Sequence, residues 1–469
     1  MDKEPEMLFS SLEFLFRFLP IFLVIYKFTP QKFKNFVLLI GSVAFYALGE
    51  PVYVFLILAS ILVNFFGAYR LHDLDDSIRR KGLFFFLMFA DLGVLFVFKY
   101  FDFFAQIVNS ITGRGWVPQL QLTLPLGISF YTFQMISVVV DIYTRKLEKR
   151  VYLIEFATYI CMFPQLIAGP IVQYQEVACE LRRRTFSLAQ VERGLCLFTL
   201  GLGSKVLLAN KISIFWNQVQ GIGFANLSTP VAWLGALAFS FQIYFDFWGY
   251  SLMAMGLGAM MGFSIPQNFD APYISKSMTE FWRRWHMTLG RFFREYVYIP
   301  LGGNRVGVWK WMRNIVIVWA LTGLWHGASW NFVLWGLGFA IFLILEKFIY
   351  GKYLNRYPIL GHIYVCVLIP VTWMVFEIGD FGQLLIYLKQ LIGIHTGEVL
   401  VKSAQLFRYL KQFGWLFAIC ALCSTYLPIR LYKKGKKTLL FKLVCLAIFW
   451  LSVYELATSS NNPFLYFRF

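Results

Sequence analysis

The stretch NIVIVWALTGLWHGASWNFVLWGLGFAIFLILE, residues 314–346, has no charged side chain between its first residue and the closing glutamate. A helix needs about 20 apolar residues to cross a hydrocarbon layer of ~30 Å, so this run is too long for one crossing. It is interrupted by four glycines: Gly323, Gly327, Gly336 and Gly338. We therefore expect two short, broken helices that meet near Gly327 inside a lipid bilayer.

The composition of the whole chain agrees with a membrane environment. Of 469 residues, 59% are hydrophobic, 20% are aromatic and only 14% are charged. So few charges cannot cover the surface of a water-soluble protein, which excludes a disordered chain and a soluble multi-domain enzyme. The net charge of +18 lies in clusters between apolar runs, and no solvated basic domain exists to bind nucleic acid. The sequence predicts an all-α polytopic membrane protein, with residues 1–469 as a single integral membrane domain and no nucleic-acid partner.

Further apolar runs predict about 12 crossings in total. Spans are expected near residues 8–26, 36–49, 51–69, 82–104, 122–142, 194–214, 231–262, 359–376, 412–429 and 440–457. Residues 151–170 contain Pro164, Gly169 and Pro170 between basic flanks, so a re-entrant hairpin is expected there. The positive-inside rule places the basic clusters in the cytoplasm and the nearly uncharged loops 105–121 and 217–229 outside. Both chain termini are then expected outside.

Residues 270–313 match neither a span nor a loop. On one helix, the apolar and the cationic side chains would lie on opposite faces: Trp285, Leu289, Phe292, Phe293 and Tyr296 against Arg283, Arg284, Arg291 and Arg294. The pattern predicts a cytoplasmic interfacial amphipathic helix. Its arginines could meet lipid phosphates, or bind an anionic substrate, and both roles are compatible.

His326 is the foremost candidate for chemistry because it lies within the apolar run 314–346. An ionisable group at membrane depth is costly and indicates function, although a neutral imidazole between packed helices is the alternative. The chain has no GxSxG, P-loop or HExxH motif and no recognisable carboxylate pair. Without a protein nucleophile, the natural role of the histidine is that of general base toward an incoming hydroxyl. We expect group transfer onto an alcohol from an activated donor such as a thioester, without a metal or a bound cofactor.

Other polar groups also lie in apolar runs. Tyr244 and Asp246 occur in FSFQIYFDFWGY (239–250), and Gln165 occurs in FPQLIAGP (163–170). Asp246 is expected to face a polar cavity, with a structural or a direct functional role. The terminal NNPFLYFRF (461–469) has the composition of an interfacial aromatic anchor.

Two blocks carry a resemblance to a known family. FWRRWHMTLGRFFREYVYIPLGGNR (281–305) and LTGLWHGASWNFVLWG (321–336) resemble the signature of membrane-bound O-acyltransferases. The similarity is strongest to the bacterial branch that O-acetylates alginate and peptidoglycan. LPLGISFYTFQ (124–134) and the terminal FLYFRF extend it over nearly the whole chain.

The resemblance implies a ring of tilted helices around a central tunnel in the bacterial cytoplasmic membrane. It implies that His326 is the catalytic histidine, that His286 is the second polar residue of the site, and that Tyr466 is a temporary acyl carrier. The extracytoplasmic aromatic tail would comprise residues 458–469. The tunnel would be lined by Asp246, Tyr244, Trp282, Trp325 and Gln165, and the donor, acetyl-CoA, would be bound by Arg283, Arg284 and Arg291.

By the same resemblance, the acetyl group passes to an extracytoplasmic SGNH-type acetyltransferase or equivalent acceptor protein, which modifies a cell-wall or secreted polysaccharide. Trp248 and Leu252 stand where relatives usually have Ser and Asp, which implies a narrower and less polar acceptor path. Two alternatives stay open. One is D-alanyl transfer from a carrier protein to teichoic acid. The other is a polytopic transporter in which His326 and Asp246 relay protons.

Overall fold

The computed structural model of the chain describes residues 8–166, 169–395, 403–459 and residue 465. Throughout these ranges the regular structure is helical and contains no β-strand. The all-α prediction is therefore confirmed. Tyr466 and the tail 458–469, apart from residues 458, 459 and 465, lie outside the described residues.

The chain forms two compact units. The first comprises Met1–Phe198 with Ser251–Pro266, and the second comprises Thr199–Tyr250 with Gln267–Phe469. The chain passes between them within two long helices, Leu188–Ile222 and Thr229–Met260. Treatment of residues 1–469 as a single functional domain stays a prediction.

The first unit has an aromatic core in which Phe9, Phe14 and Phe45 pack around Phe163. The buried Arg80 donates to the carbonyl oxygens of residues 142 and 143, at the end of the helix Ile128–Tyr143. The last carbonyl groups of a helix have no donor within the helix, so this side chain supplies hydrogen bonds that they lack. Its helices, besides the first part of Leu188–Ile222, are Leu19–Phe28, Lys34–Gly49, Val54–Asp73, Ile78–Thr112, Ile128–Tyr143, Leu153–Cys161, Phe163–Leu166 and Tyr174–Arg182.

The second unit contains both candidate histidines. Besides the remainder of Leu188–Ile222 and most of Thr229–Met260, its helices are Met278–Arg284, Met287–Phe293, Val308–His326, Trp330–Arg356, Pro358–Glu377, Phe381–Leu391, Ser403–Cys423, Leu427–Gly435 and Leu439–Thr458. Its core is rich in aromatic side chains, among them Trp216, Trp335 and Trp373.

Nine helices within the described ranges are long and apolar enough to cross a membrane. This supports a multi-pass membrane protein, with fewer such helices than the 12 crossings expected. The run 122–142 forms the shorter helix Ile128–Tyr143. The described part of 151–170 forms two short helices, Leu153–Cys161 and Phe163–Leu166, each shorter than the bilayer is thick.

The long apolar run divides at Gly327, as the glycine pattern predicts. Val308–His326 ends there, and the next helix begins at Trp330. The second helix is not short, however, because it continues to Arg356 over 27 residues.

The prediction of one amphipathic helix within 270–313 is wrong. Two short helices, Met278–Arg284 and Met287–Phe293, are separated at Trp285 and His286. His286 has a left-handed backbone with φ of +45°, which no α-helix continues. The 100° periodicity does not detect this break because both short helices carry buried apolar side chains and the apolar spacing continues across the turn.

Candidate active site

His326 is the last residue of the helix Val308–His326 and is only 7% exposed. Its imidazole packs against the rings of Trp335 and Phe376, at centroid distances of 5.0 and 5.2 Å. The carbonyl groups at a helix C-terminus carry partial negative charge and stabilise a cationic imidazole. The imidazole of His326 thus lies beside the partial negative charge of a helix end.

The glycines beside His326 serve helix contact. A Cβ atom at Gly327 would lie 2.2 Å from the ring of Phe332, and one at Gly323 would lie 2.4 Å from the carbonyl oxygen of Phe332. The space beside both glycines is therefore occupied by the following helix, so they do not leave room for a ligand.

His286 is held by the side chain of Asn268. The Nδ1 atom of His286 lies 3.1 Å from Oδ1 of Asn268, and the backbone N–H of Thr288 donates to the same oxygen at 3.2 Å. Because a backbone N–H can only donate, Asn268 presents its oxygen here and Nδ1 of His286 must carry the hydrogen. Burial lowers the pKa of His286 to about 3, which keeps the imidazole neutral.

In this tautomer the Nε2 atom of His286 carries the lone pair. Nε2 is buried and has no hydrogen-bond partner within the described ranges. The ring is 1% exposed and meets Phe247 edge to face, with centroids 4.7 Å apart. The arrangement leaves a buried acceptor that can receive a hydrogen bond from a hydroxyl group.

Trp325 contacts both histidines. Its ring centroid is 5.7 Å from that of His286 and 4.9 Å from that of His326. The two imidazoles therefore flank one indole in the second unit.

His326 and Asp246 line the same cavity. The remaining lining residues are Ile243, Phe247, Trp285, Trp373, Phe376 and Leu465. His286 adjoins this cavity through its contact with Phe247. The structure thus brings His326, Asp246 and, behind Phe247, His286 into one neighbourhood.

Asp246 forms a buried ion pair that the sequence alone did not predict. Nζ of Lys205 lies 2.5 Å from Oδ1 of Asp246, and the two side chains are 2% and 3% exposed. The other carboxylate oxygen accepts the backbone N–H of Leu465 at 3.0 Å. A lysine in the middle of the apolar run 194–214 is the signal that could have identified the partner, because buried charges are paired.

Two predicted tunnel residues lie among other aromatic rings and are not on the lining of this cavity. Tyr244 stacks on Trp248 with centroids 5.5 Å apart. Trp282 packs against Trp319 and Phe339 at 4.7 and 4.9 Å. Their assignment to a tunnel wall stays a prediction.

A further predicted residue, Gln165, is not among the residues that line this cavity. Gln165 belongs to the first unit, where its Nε2 donates to the carbonyl oxygen of Tyr159 at 2.5 Å. Tyr466 lies outside the described residues.

The three arginines expected to bind a donor differ in their surroundings. Arg283 is exposed and forms no ion pair within the described part of the chain. Arg284 bonds to Glu280 at 2.8 Å, to Asp270 at 3.3 Å and to the hydroxyl of Tyr426. Arg291 is half-buried. Arg283 is therefore the more available cation of the first two.

Comparison with known proteins agrees with the two sequence motifs. The profile of the membrane-bound O-acyltransferase family matches residues 144–360. A probable alginate O-acetylase of Pseudomonas putida is 34% identical, over 99% of this chain and 100% of that protein. A peptidoglycan O-acetyltransferase of Helicobacter pylori is 33% identical, over 87% of this chain and 84% of that protein. A teichoic acid D-alanyltransferase of Streptococcus thermophilus is 31% identical, over 47% of this chain and 56% of that protein.

Proposed function

Because this chain belongs to the membrane-bound O-acyltransferase family, we propose that it moves an acetyl group from a cytoplasmic thioester, acetyl-CoA, to an acceptor hydroxyl for O-acetylation of an extracytoplasmic polysaccharide. Its place would be the bacterial cytoplasmic membrane. The observation that carries the proposal is the cavity of the second unit, which is lined by the C-terminal histidine of one helix and by a buried carboxylate. The acetyl group, rather than another acyl group, is supported by the names of two relatives of high coverage.

His326 acts as the general base in this mechanism. Its imidazole takes the proton of the acceptor hydroxyl while the oxygen attacks the thioester carbonyl carbon. The carbon–sulfur bond then breaks, an ester forms, and the leaving thiolate recovers the proton from the imidazolium. The end of the helix favours the transient positive charge on His326.

His286 orients the acceptor. With its hydrogen on Nδ1, its Nε2 atom can accept but cannot donate a hydrogen bond. His286 is therefore better suited to hold the hydroxyl for attack than to stabilise an oxyanion, which needs a hydrogen-bond donor.

Tyr466 is the first acceptor in this scheme. It directly follows Leu465, which lines the cavity of His326. The acetyl-tyrosine would pass its group to an extracytoplasmic SGNH-type acetyltransferase or an equivalent acceptor protein, which completes the modification of the polysaccharide. On the donor side, the exposed Arg283 would meet the phosphates of acetyl-CoA.

The test of the base is His326→Ala, with His362→Ala as the matched control from another apolar helix. Purified, membrane-inserted protein is supplied with radiolabelled acetyl-CoA, and protein-bound and polysaccharide-bound label is counted. We expect His326→Ala to lose at least 10²-fold in rate, as for a general base, and the control to keep its rate. Full activity of a well-inserted His326→Ala protein would refute the assignment.

The test of the carrier is Tyr466→Phe, which keeps the aromatic ring and removes the hydroxyl. We expect no protein-bound label and no product. Acetylation at the parental rate would show that Tyr466 carries nothing.

A donor comparison separates the main alternative. The similarity to a D-alanyltransferase favours testing a D-alanyl carrier protein beside acetyl-CoA. Label transfer from the carrier protein alone would replace acetyl with D-alanyl as the transferred group.

A further inference from the structure

We propose that the Lys205–Asp246 ion pair is a binding site for the backbone of Leu465, which it holds at the cavity. The pair joins two apolar helices, Leu188–Ile222 and Thr229–Met260. We call it the Lys205–Asp246 seat.

The seat is buried, and the two oxygens of its carboxylate have different neighbours. The side chains of Lys205 and Asp246 are only 2% and 3% exposed. Lys205 contacts Oδ1 at 2.5 Å, and this leaves Oδ2 to accept the N–H of Leu465 at 3.0 Å. A hydrogen bond to an ionised acceptor in a dry site is roughly twice as strong as a neutral one.

A buried ion pair between two helices has a large cost in desolvation free energy. Apolar residues of similar volume often stabilise the folded state equally well, because they avoid the cost of taking two charges out of water. A second, fixed oxygen that binds a backbone amide is what the ion pair provides and an apolar pair cannot. The side chain of Leu465 adds apolar contact, since it is 3% exposed.

The seat places Leu465 beside the catalytic base. Asp246, Leu465 and His326 line one cavity, so holding Leu465 fixes the chain one residue away from Tyr466. This consequence rests on the proposed function, in which Tyr466 accepts the acetyl group. Asp246 and Lys205 are thus positioning residues that control delivery of the tyrosine.

The experiment is hydrogen–deuterium exchange of the full chain, read by mass spectrometry in peptides that contain Leu465. Two variants are compared with the parent. Asp246→Asn removes the ionised acceptor, and Lys205→Met combined with Asp246→Leu removes both charges while keeping the volume. The second variant guards against misfolding caused by an unpaired lysine. Asp91→Asn is the control, a buried carboxyl that contacts Asn64 in the first unit.

We expect the amide of Leu465 to exchange at least tenfold faster in both seat variants, with unchanged exchange in the helix Val308–His326. Acetyl transfer from acetyl-CoA should fall at least tenfold, and Asp91→Asn should change neither quantity. Unchanged exchange at Leu465 in the double variant would overturn the seat, whatever the activity. Faster exchange with parental acetyl transfer would overturn its role in delivery. Failure of the proposed function looks different: the parent would show no His326-dependent transfer, while exchange at Leu465 would still report on the seat.

Discussion

Oδ1 of Asn268 lies 3.1 Å from Nδ1 of His286 and also accepts the hydroxyl of Thr288 at 3.0 Å. The backbone N–H of Met287 donates to the carbonyl oxygen of Asn268 at 3.0 Å. One asparagine thus holds both the left-handed backbone at His286 and the tautomer of its ring. The orientation of the second histidine depends on a residue of the preceding loop.

Replacing Asn268 by Ala should therefore impair catalysis without loss of the fold. The imidazole of His286 would lose its fixed tautomer, and the lone pair on Nε2 would no longer be aimed reliably. We expect kcat for acetyl transfer to fall on the order of 10²-fold, with a smaller change in KM for acetyl-CoA.

Asn314→Ala is the matched control for this prediction. Asn314 is fully buried in the same unit, but its amide donates to the carbonyl oxygen of Leu301. The control should lose stability and keep most of its kcat. Equal kcat losses in the two variants would mean that Asn268 has only a structural role.

The pKa of His286 predicts a pH dependence of stability. Burial lowers this pKa from 6.5 to about 3. Between these values the unfolded chain binds a proton that the folded chain does not, so the free energy of unfolding decreases as the pH falls. Above pH 6.5 both states are neutral at this residue and it contributes no pH dependence.

His286→Asn removes this contribution and suits the left-handed backbone, which asparagine tolerates. Relative to the variant, the parent should lose about 2 kcal/mol of stability between pH 7 and pH 5, at about 1.4 kcal/mol for each unit below about 6.5. Thermal unfolding in detergent at several pH values measures the difference. Parallel curves for the two proteins would show that His286 is not held neutral.

Much of the fold follows from the sequence because lipid imposes simple rules. An apolar run beyond one bilayer thickness must break, and the break occurs at Gly327, where the next helix approaches. His326 is identified because an ionisable side chain in such a run is costly. The tunnel, the sidedness of the loops and the roles of the site residues stay predictions.

The features that the sequence did not predict depend on contacts between distant segments. Periodicity could not reveal the turn at His286, because a loop residue, Asn268, holds it. Lys205 and Asp246 pair only through the register of two long helices. A local pattern contains no information on such a register.

The two neighbouring arginines predict opposite phenotypes. Arg283→Ala should raise KM for acetyl-CoA several-fold with an unchanged melting temperature, because its guanidinium is exposed and forms no ion pair within the described ranges. Arg284→Ala should lower stability by about 1 kcal/mol, because Glu280 and Asp270 lose a partly exposed partner. Arg283→Lys keeps the charge and should restore most of the affinity. A KM effect confined to Arg284→Ala would exchange the two roles.

The close contact between the helices Val308–His326 and Trp330–Arg356 predicts a steep cost for one methyl group. A Cβ at Gly323 would lie 2.4 Å from the carbonyl oxygen of Phe332, and one at Gly336 would lie 2.3 Å from that of Trp319. Backbone oxygens cannot rotate away, so Ala at either position must separate the helices, at about 1–3 kcal/mol. His326 lies one turn beyond Gly323, so acetyl transfer should fall together with the melting temperature.

Gly338→Ala is the control on the helix that also contains Gly336, because a Cβ there meets nothing within 4 Å. It should leave the melting temperature and the transfer rate at parental values. If Gly323→Ala and Gly338→Ala were equally well tolerated, the helices could not approach as closely as the structure shows. Other contacts than this helix packing would then have to hold His326 in position.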